Sequence, residues 1–294
     1  RRLTCLLVMV ATSALAQPQP VTGFELERFT FNPGARQTMT MGSADLLDAQ
    51  WVDNGPGWLG LLVTDAAINI APTIRDKVDI VQNAIDLARA MGVDEVRVAI
   101  GTYVPTSGTD RTISFVLKQG VRMRGGYAGT GTNPDERILS FYTSTLSGNI
   151  GDPVSNADNS FHVIRANAVT ASAILDGFVI RDGNANGTGN DGIGGGMLVT
   201  SGSPAVVRCL LVKNTAVKGA AIGRVSGFSA SSPMAIHGCI FTDNAADQGA
   251  AIFGQFAPIQ LMNSTVADND GVAAVDLATI SVASTFSSSI LYRN

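Results

Sequence analysis

The sequence predicts an all-β parallel β-helix, a single-stranded solenoid capped at its N-terminal side by one α-helix. Three observations predict it. From about residue 95 onward, short apolar stretches alternate with turn residues and no second helical pattern appears. An internal phrase recurs, "CLLVKNTAVKGAAI" at 209–222 and "CIFTDNAADQGAAI" at 239–252. Finally, one amphipathic helix stands just before the repeats, where a stack of coils needs a cover.

The helix lies in "RDKVDIVQNAIDLARAMG". Val78, Val81, Ile85, Leu87, Ala88 and Met91 fall largely on one side at helical spacing. Asp76 is a candidate N-cap, and Gly92 sits where a C′ glycine belongs. "DEVRVAIGTY" follows as a strand with Val96, Val98 and Ile100 on one face.

Asn anchors the repeats. Cys209, Cys239, Ser264 and Ser289 each stand five residues before Asn214, Asn244, Asn269 and Asn294. Stacked coils would bring these asparagines about 4.8 Å apart, the strand spacing, so that each amide could bond the next. Asn also tolerates the left-handed conformation of a sharp bend. In the same stacking Cys209 and Cys239 become core neighbours, either as free thiols or as a disulfide.

Composition narrows the function classes. The chain has 294 residues, 45% of them hydrophobic, which excludes a disordered tail, and a formal net charge of −4. No Lys/Arg cluster accompanies that charge, so no nucleic-acid partner is expected. "RRLTCLLVMVATSALAQ" carries a basic start, a short apolar run and a small-x-small site at Ala14–Ala16. It reads as a signal peptide over 1–16, with a secreted or outer-surface destination. Residues 17–65 have no legible role, and 66–294 read as the repeat domain, interrupted mid-repeat at Asn294 and so expected to continue. No later run is long enough for a transmembrane helix.

The chain resembles bacterial secreted right-handed parallel β-helix proteins of the pectate-lyase-like superfamily. The resemblance rests on "IVQNAIDLARA", "VRVAIGTYVPT", "FVLKQGVRMRGGYAGT", "TLSGNIGD" and "ILDGFVIRDGNANG". "FTDN" at 241–244 and "GAAI" at 249–252 resemble the F-x-x-N and G-G-A-I elements of polymorphic outer-membrane protein repeats, with Ala for the second Gly. The resemblance implies a right-handed coil and a surface scaffold of adhesin type, whose turns would meet a cell-envelope or extracellular glycan or protein. It also implies an enzymatic alternative, a polysaccharide lyase or glycoside hydrolase acting on acidic polysaccharide.

Residue patterns give the enzyme little. The hydrolase motifs are missing, and His237-Gly238 is the nearest fragment. A lyase would draw a base from Arg165, Arg181, Arg208 or Arg224 and carboxylates from Asp176, Asp182, Asp243 or Asp268. No catalytic residue is assigned. "DGNANGTGNDGIGGGM" opens like a calcium loop, with Asp182, Asn184 and Asn186 on alternate residues and Gly187 for the turn. Ile193 holds the twelfth position in place of Glu, leaving Asp191 as the remaining carboxylate. Calcium is thus the single cofactor considered; the alternative is a Gly-rich insertion that binds none.

Overall fold

The computed structural model describes residues 23–29, 36–42, 61–63, 68–70 and 80–294, except 130–131, 227–231 and 279–282. The expected signal peptide (1–16), most of 17–65 and the Asp76 N-cap lie outside the described residues.

The helix spans Ile80–Met91. Val81, Ala84, Ile85 and Ala88 are buried, a stripe at the spacing of one helical face. Gly92 takes φ +71°, and the Val93 amide reaches back to the Ala88 carbonyl at 2.9 Å. That bond and the buried Val93 make a Schellman stop, which glycine permits at no steric cost.

The expected class, an all-β single-stranded β-helix with a capping α-helix, is corrected by what surrounds this helix. Ile68–Ile70 and Glu95–Ala99 are parallel neighbours, Ile68 opposite Val96 and Ile70 opposite Val98. Parallel neighbours cannot be joined by a tight turn, so the chain between them must cross over. The helix is that crossover, which makes this an α/β unit and not a lid on a finished all-β coil. The other strands do not form one single-stranded ribbon either. Among the described residues they are shared between stacked parallel sheets of six, nine, seven and three strands, with antiparallel pairing at Leu61–Val63/Ile68–Ile70 and at Gly23–Phe29/Arg36–Gly42.

Successive strands enter different sheets. Ile164–Val169 lies in the six-stranded sheet, Ile174–Asp176 in the nine-stranded, Phe178–Arg181 in the seven-stranded and Asn184–Ala185 in the three-stranded. Met197–Gly202 then returns to the six-stranded sheet beside Ile164–Val169. In-register parallel pairing places like on like. Leu146, Ile180, Leu211, Phe241 and Val266 follow one another across the seven-stranded sheet, all essentially inaccessible. Ile164, Met197, Ile222 and Ile252 do the same across the six-stranded sheet. Each fully buried side chain of this size contributes about 1.5–3 kcal/mol.

The bends are left-handed, but at the residue before each asparagine. Lys213, Asp243, Asp268 and Arg293 have φ between 48° and 57°. Asn214, Asn244 and Asn269 are buried and bonded in a ladder. The Asn214 Nδ2 donates to Asn244 Oδ1 (3.0 Å), Asn244 Nδ2 to Asn269 Oδ1 (2.9 Å), and Asn269 Nδ2 to Asn294 Oδ1 (2.8 Å). Each amide also serves the backbone: Asn244 Nδ2 donates to the Leu211 and Thr242 carbonyls, and its Oδ1 accepts the Asn214 N–H. Alanine at 244 would strand several buried groups at once. Asn244→Ala is expected to lower unfolding stability by roughly 3–5 kcal/mol, measured by urea titration against wild type.

Candidate functional site

The richest assembly of charged side chains lies on one face of the nine-stranded sheet. It grows from two strands with alternating charge, Glu95–Ala99 ("EVRVA") and Arg122–Tyr127 ("RMRGGY"). Val96, Val98 and Met123 fill the core, so their neighbours point the other way. Register then sets Arg97 opposite Arg124, and Arg124 opposite Asp176.

Two carboxylates hold four guanidinium groups. Glu95 accepts from Arg97 Nε at 2.8 Å and from Arg124 Nη1 at 3.2 Å. Asp176 accepts a fork from Arg208, Nε at 2.9 Å and Nη2 at 2.5 Å, and pairs with Arg137 Nη2 at 3.0 Å and Arg124 Nε at 3.5 Å. Arg97 also reaches Asp135 at 3.2 Å. The Tyr127 ring lies 5.6–5.9 Å from the guanidinium carbons of Arg97, Arg124 and Arg137. Its phenol is held above the ordinary range, mainly by burial. The Asp176 hydrogen bond raises the Arg208 guanidinium in turn.

Both carboxylate side chains are almost wholly buried, whereas Arg208 is half exposed and Arg97 and Arg124 are partly so. Arg97, Arg124, Arg137 and Arg208 outnumber Glu95, Asp176 and Asp135 by one charge. Planar forks braced from behind by carboxylates, with surplus positive charge facing water, suit an oxyanion such as phosphate. Sequence reading considered Asp176 and Arg208 singly and missed the group. The available signal was the paired outward charges Glu95/Arg97 and Arg122/Arg124; Arg137 and Arg208 join them only through the fold.

The expected calcium loop has other partners. Asp182 Oδ2 accepts from Arg181 Nε at 2.6 Å and Ser147 Oγ at 2.9 Å. Asn184 Oδ1 accepts from Thr215, and its Nδ2 donates to the Asn156 carbonyl. Asn186 Oδ1 accepts from Arg111 Nη2 at 2.8 Å. Asp191 Oδ1 stands 3.6 Å from His162 Nε2. Among the described residues, no group of three or more His, Cys, Asp or Glu is placed to hold a metal ion. Cys209 and Cys239 are free, buried thiols, and burial pushes Cys209 well above the usual thiol range. Arg224 is buried and bonded to the Gly202, Pro258 and Ser232 carbonyls; burial lowers it to about 10. Asp268 pairs with Arg293 at 3.4 Å, and His237 Nε2 meets Asn263 Nδ2 at 2.8 Å.

Residues 54–117 match the family model of phosphate acetyl/butaryl transferases. The match includes the crossover helix and the strand that carries Glu95 and Arg97. A phosphate acetyltransferase of Rickettsia prowazekii is 39% identical over 104 residues, 33% of this chain and 29% of that protein. The one of Rhizobium meliloti is 61% identical over 46 residues, 16% and 15% of the respective chains. The chain thus spans less than a third of these relatives. No solved structure matches.

These comparisons correct the resemblance drawn from the sequence. What matches is an acyltransferase family, and not the pectate-lyase-like β-helix proteins or the polymorphic outer-membrane protein repeats. The surface scaffold of adhesin type and the polysaccharide lyase or glycosidase fall with that resemblance; the secreted or outer-surface destination, read from residues 1–16, is corrected by the same matches to phosphate acetyltransferases. Among the described residues no helix is long and apolar enough to cross a membrane.

His162, beside Asp191, gives the chain's stability a pH signature. Its side chain is 1% exposed, and burial, above all, lowers its pKa below 6.5. Between that lowered value and 6.5 the unfolded chain binds a proton that the folded chain refuses. Stability is therefore full above about pH 6.5 and falls as pH drops below it. Urea titrations between pH 7 and 5.5 are expected to show this slope, and His162→Gln to flatten it, since carboxylates titrate lower.

Proposed function

We propose that the chain acts in acyl transfer to phosphate through its 54–117 segment, with phosphate held by the arginines that begin on that segment's last long strand. The observation that carries this reading is the position of Arg97. It lies within the stretch matching phosphate acetyl/butaryl transferases and beside Arg124 in a braced guanidinium group.

The guanidinium N–H groups that the carboxylates leave over can bond two phosphate oxygens and leave a third free as nucleophile. That oxygen would attack the acetyl carbonyl of a thioester, forming the C–O bond of acetyl phosphate as the C–S bond breaks and the thiol leaves. Glu95 and Asp176 fix the forks beforehand, so little side-chain order is lost on binding.

The test is acetyl phosphate formation from acetyl-coenzyme A and inorganic phosphate, together with phosphate affinity by calorimetry. Arg97→Ala is expected to weaken phosphate binding roughly tenfold to a hundredfold, the loss of one or two charge-assisted hydrogen bonds. Arg97→Lys should recover only part of it, because the ammonium lacks the fork. A folded wild-type chain that neither binds phosphate nor forms acetyl phosphate rejects the proposal.

A further inference from the structure

Two stacked thiols lie in the core, and the proposed acyl transfer uses neither. Leu210–Val212 and Ile240–Thr242 are parallel neighbours, with Leu210 opposite Ile240 and Leu211 opposite Phe241. Cys209 and Cys239 each stand one residue before these strands, and the Ile240 N–H donates to the Cys209 carbonyl at 2.9 Å. The register therefore sets the two cysteines at equivalent positions, with Cα atoms about 4.8 Å apart. Disulfides span Cα separations of roughly 4.4–6.8 Å, so the backbone already stands within bridging distance.

The sulfurs occupy the same place, one strand apart. Cys209 Sγ lies 3.6 Å from the Leu175 carbonyl oxygen and 3.3 Å from that of Val207. Cys239 Sγ lies 3.5 Å from those of Val206 and His237. Leu175 pairs with Val206, and Val207 with His237, so each sulfur repeats the surroundings of the other. A hydrogen bond joins the thiols. With Cys209 donating, it pulls Cys239 below the ordinary thiol range, while burial pushes Cys209 above it. Arg208, directly before Cys209, adds a neighbouring positive charge.

We propose that Cys209 and Cys239 form a modification site, a dithiol that a small peroxide oxidises reversibly to a disulfide between adjacent strands of the stack. Cys209 is 2% exposed and Cys239 1%, so the oxidant must be small and uncharged. The Cys239 sulfur attacks one peroxide oxygen; the O–O bond breaks, a sulfenic acid forms, and the other oxygen leaves as water with the thiol proton. The Cys209 sulfur then displaces the sulfenic hydroxyl, forming the S–S bond, and a second water carries off its proton. Two thiols and one hydrogen peroxide thus give one disulfide and two waters. The bridge restricts the unfolded chain and makes the oxidised protein harder to unfold. The thiols take no part in holding phosphate, so failure here leaves the acyl-transfer reading standing.

The test is hydrogen peroxide treatment of the folded full chain, then an acid quench, alkylation in denaturant and peptide mapping. A Cys209–Cys239 link is expected, reversed by a phosphine reductant, together with a higher urea midpoint for the oxidised chain. Cys209→Ala and Cys239→Ala should each abolish the link and the midpoint shift, with circular dichroism confirming that each variant is folded. Mapping of the wild-type chain decides even if a variant fails to fold, because it needs no substitution. Recovery of both thiols in alkylated form after peroxide overturns the proposal, as does separate oxidation of each to a sulfinic acid. Pairing of either thiol with Cys5 overturns it too. So does a link that forms only after urea has unfolded the chain, since the folded register would then play no part in bringing the sulfurs together.

Discussion

In-register parallel pairing is the constraint on which the rest depends. Once Ile164 faces Met197 and Leu211 faces Phe241, every neighbouring position along those strands is fixed, because a slip of one residue would turn the whole apolar set outward. The backbone ladder thus decides three things together: which side chains share the core, which asparagines meet, and which charges lie in one row outside.

The asparagine ladder shows how little tolerance that constraint has. An amide has one acceptor and two donor hydrogens, and Asn244 uses them upward, downward and on its own bend. Such a buried polar row is stable only because it is complete; a single gap leaves donors and acceptors without water. The outer arginine group is a looser version of the same idea. Glu95 and Asp176 are buried charges that would be costly alone, and the guanidiniums around them supply the compensation. Arg208, Arg124 and Arg97 remain partly exposed, and the proposed phosphate binding rests on that exposure.

Much of the local structure was legible. The helix stripe, the Gly92 stop, the short strands and the recurrence of Asn at 214, 244, 269 and 294 come from spacing alone. The fold class was not. The helix looked like a cap because sequence spacing says nothing about Ile68–Ile70 lying parallel to Glu95–Ala99, and that pairing is what makes the helix a crossover. The similarity to phosphate acetyl/butaryl transferases was hidden for another reason. The acyltransferase match runs over residues 54–117, across a stretch with no catalytic motif, and likeness spread over whole segments cannot be seen from a few conspicuous residues. The left-handed bends were placed one residue late, on the asparagines, because Asn is the usual occupant; here the side-chain ladder holds Asn and the preceding Lys, Asp or Arg takes the strain.

By itself the sequence determined where strands and bends fall, since alternation, glycine stops and an asparagine every 25–30 residues are local properties of the chain. Tertiary structure decided what those elements bring together. Arg97, Arg124, Arg137 and Arg208 are scattered over more than a hundred residues. Their grouping comes from register and from the burial of Glu95 and Asp176 between them, and both exist only once the sheets have formed.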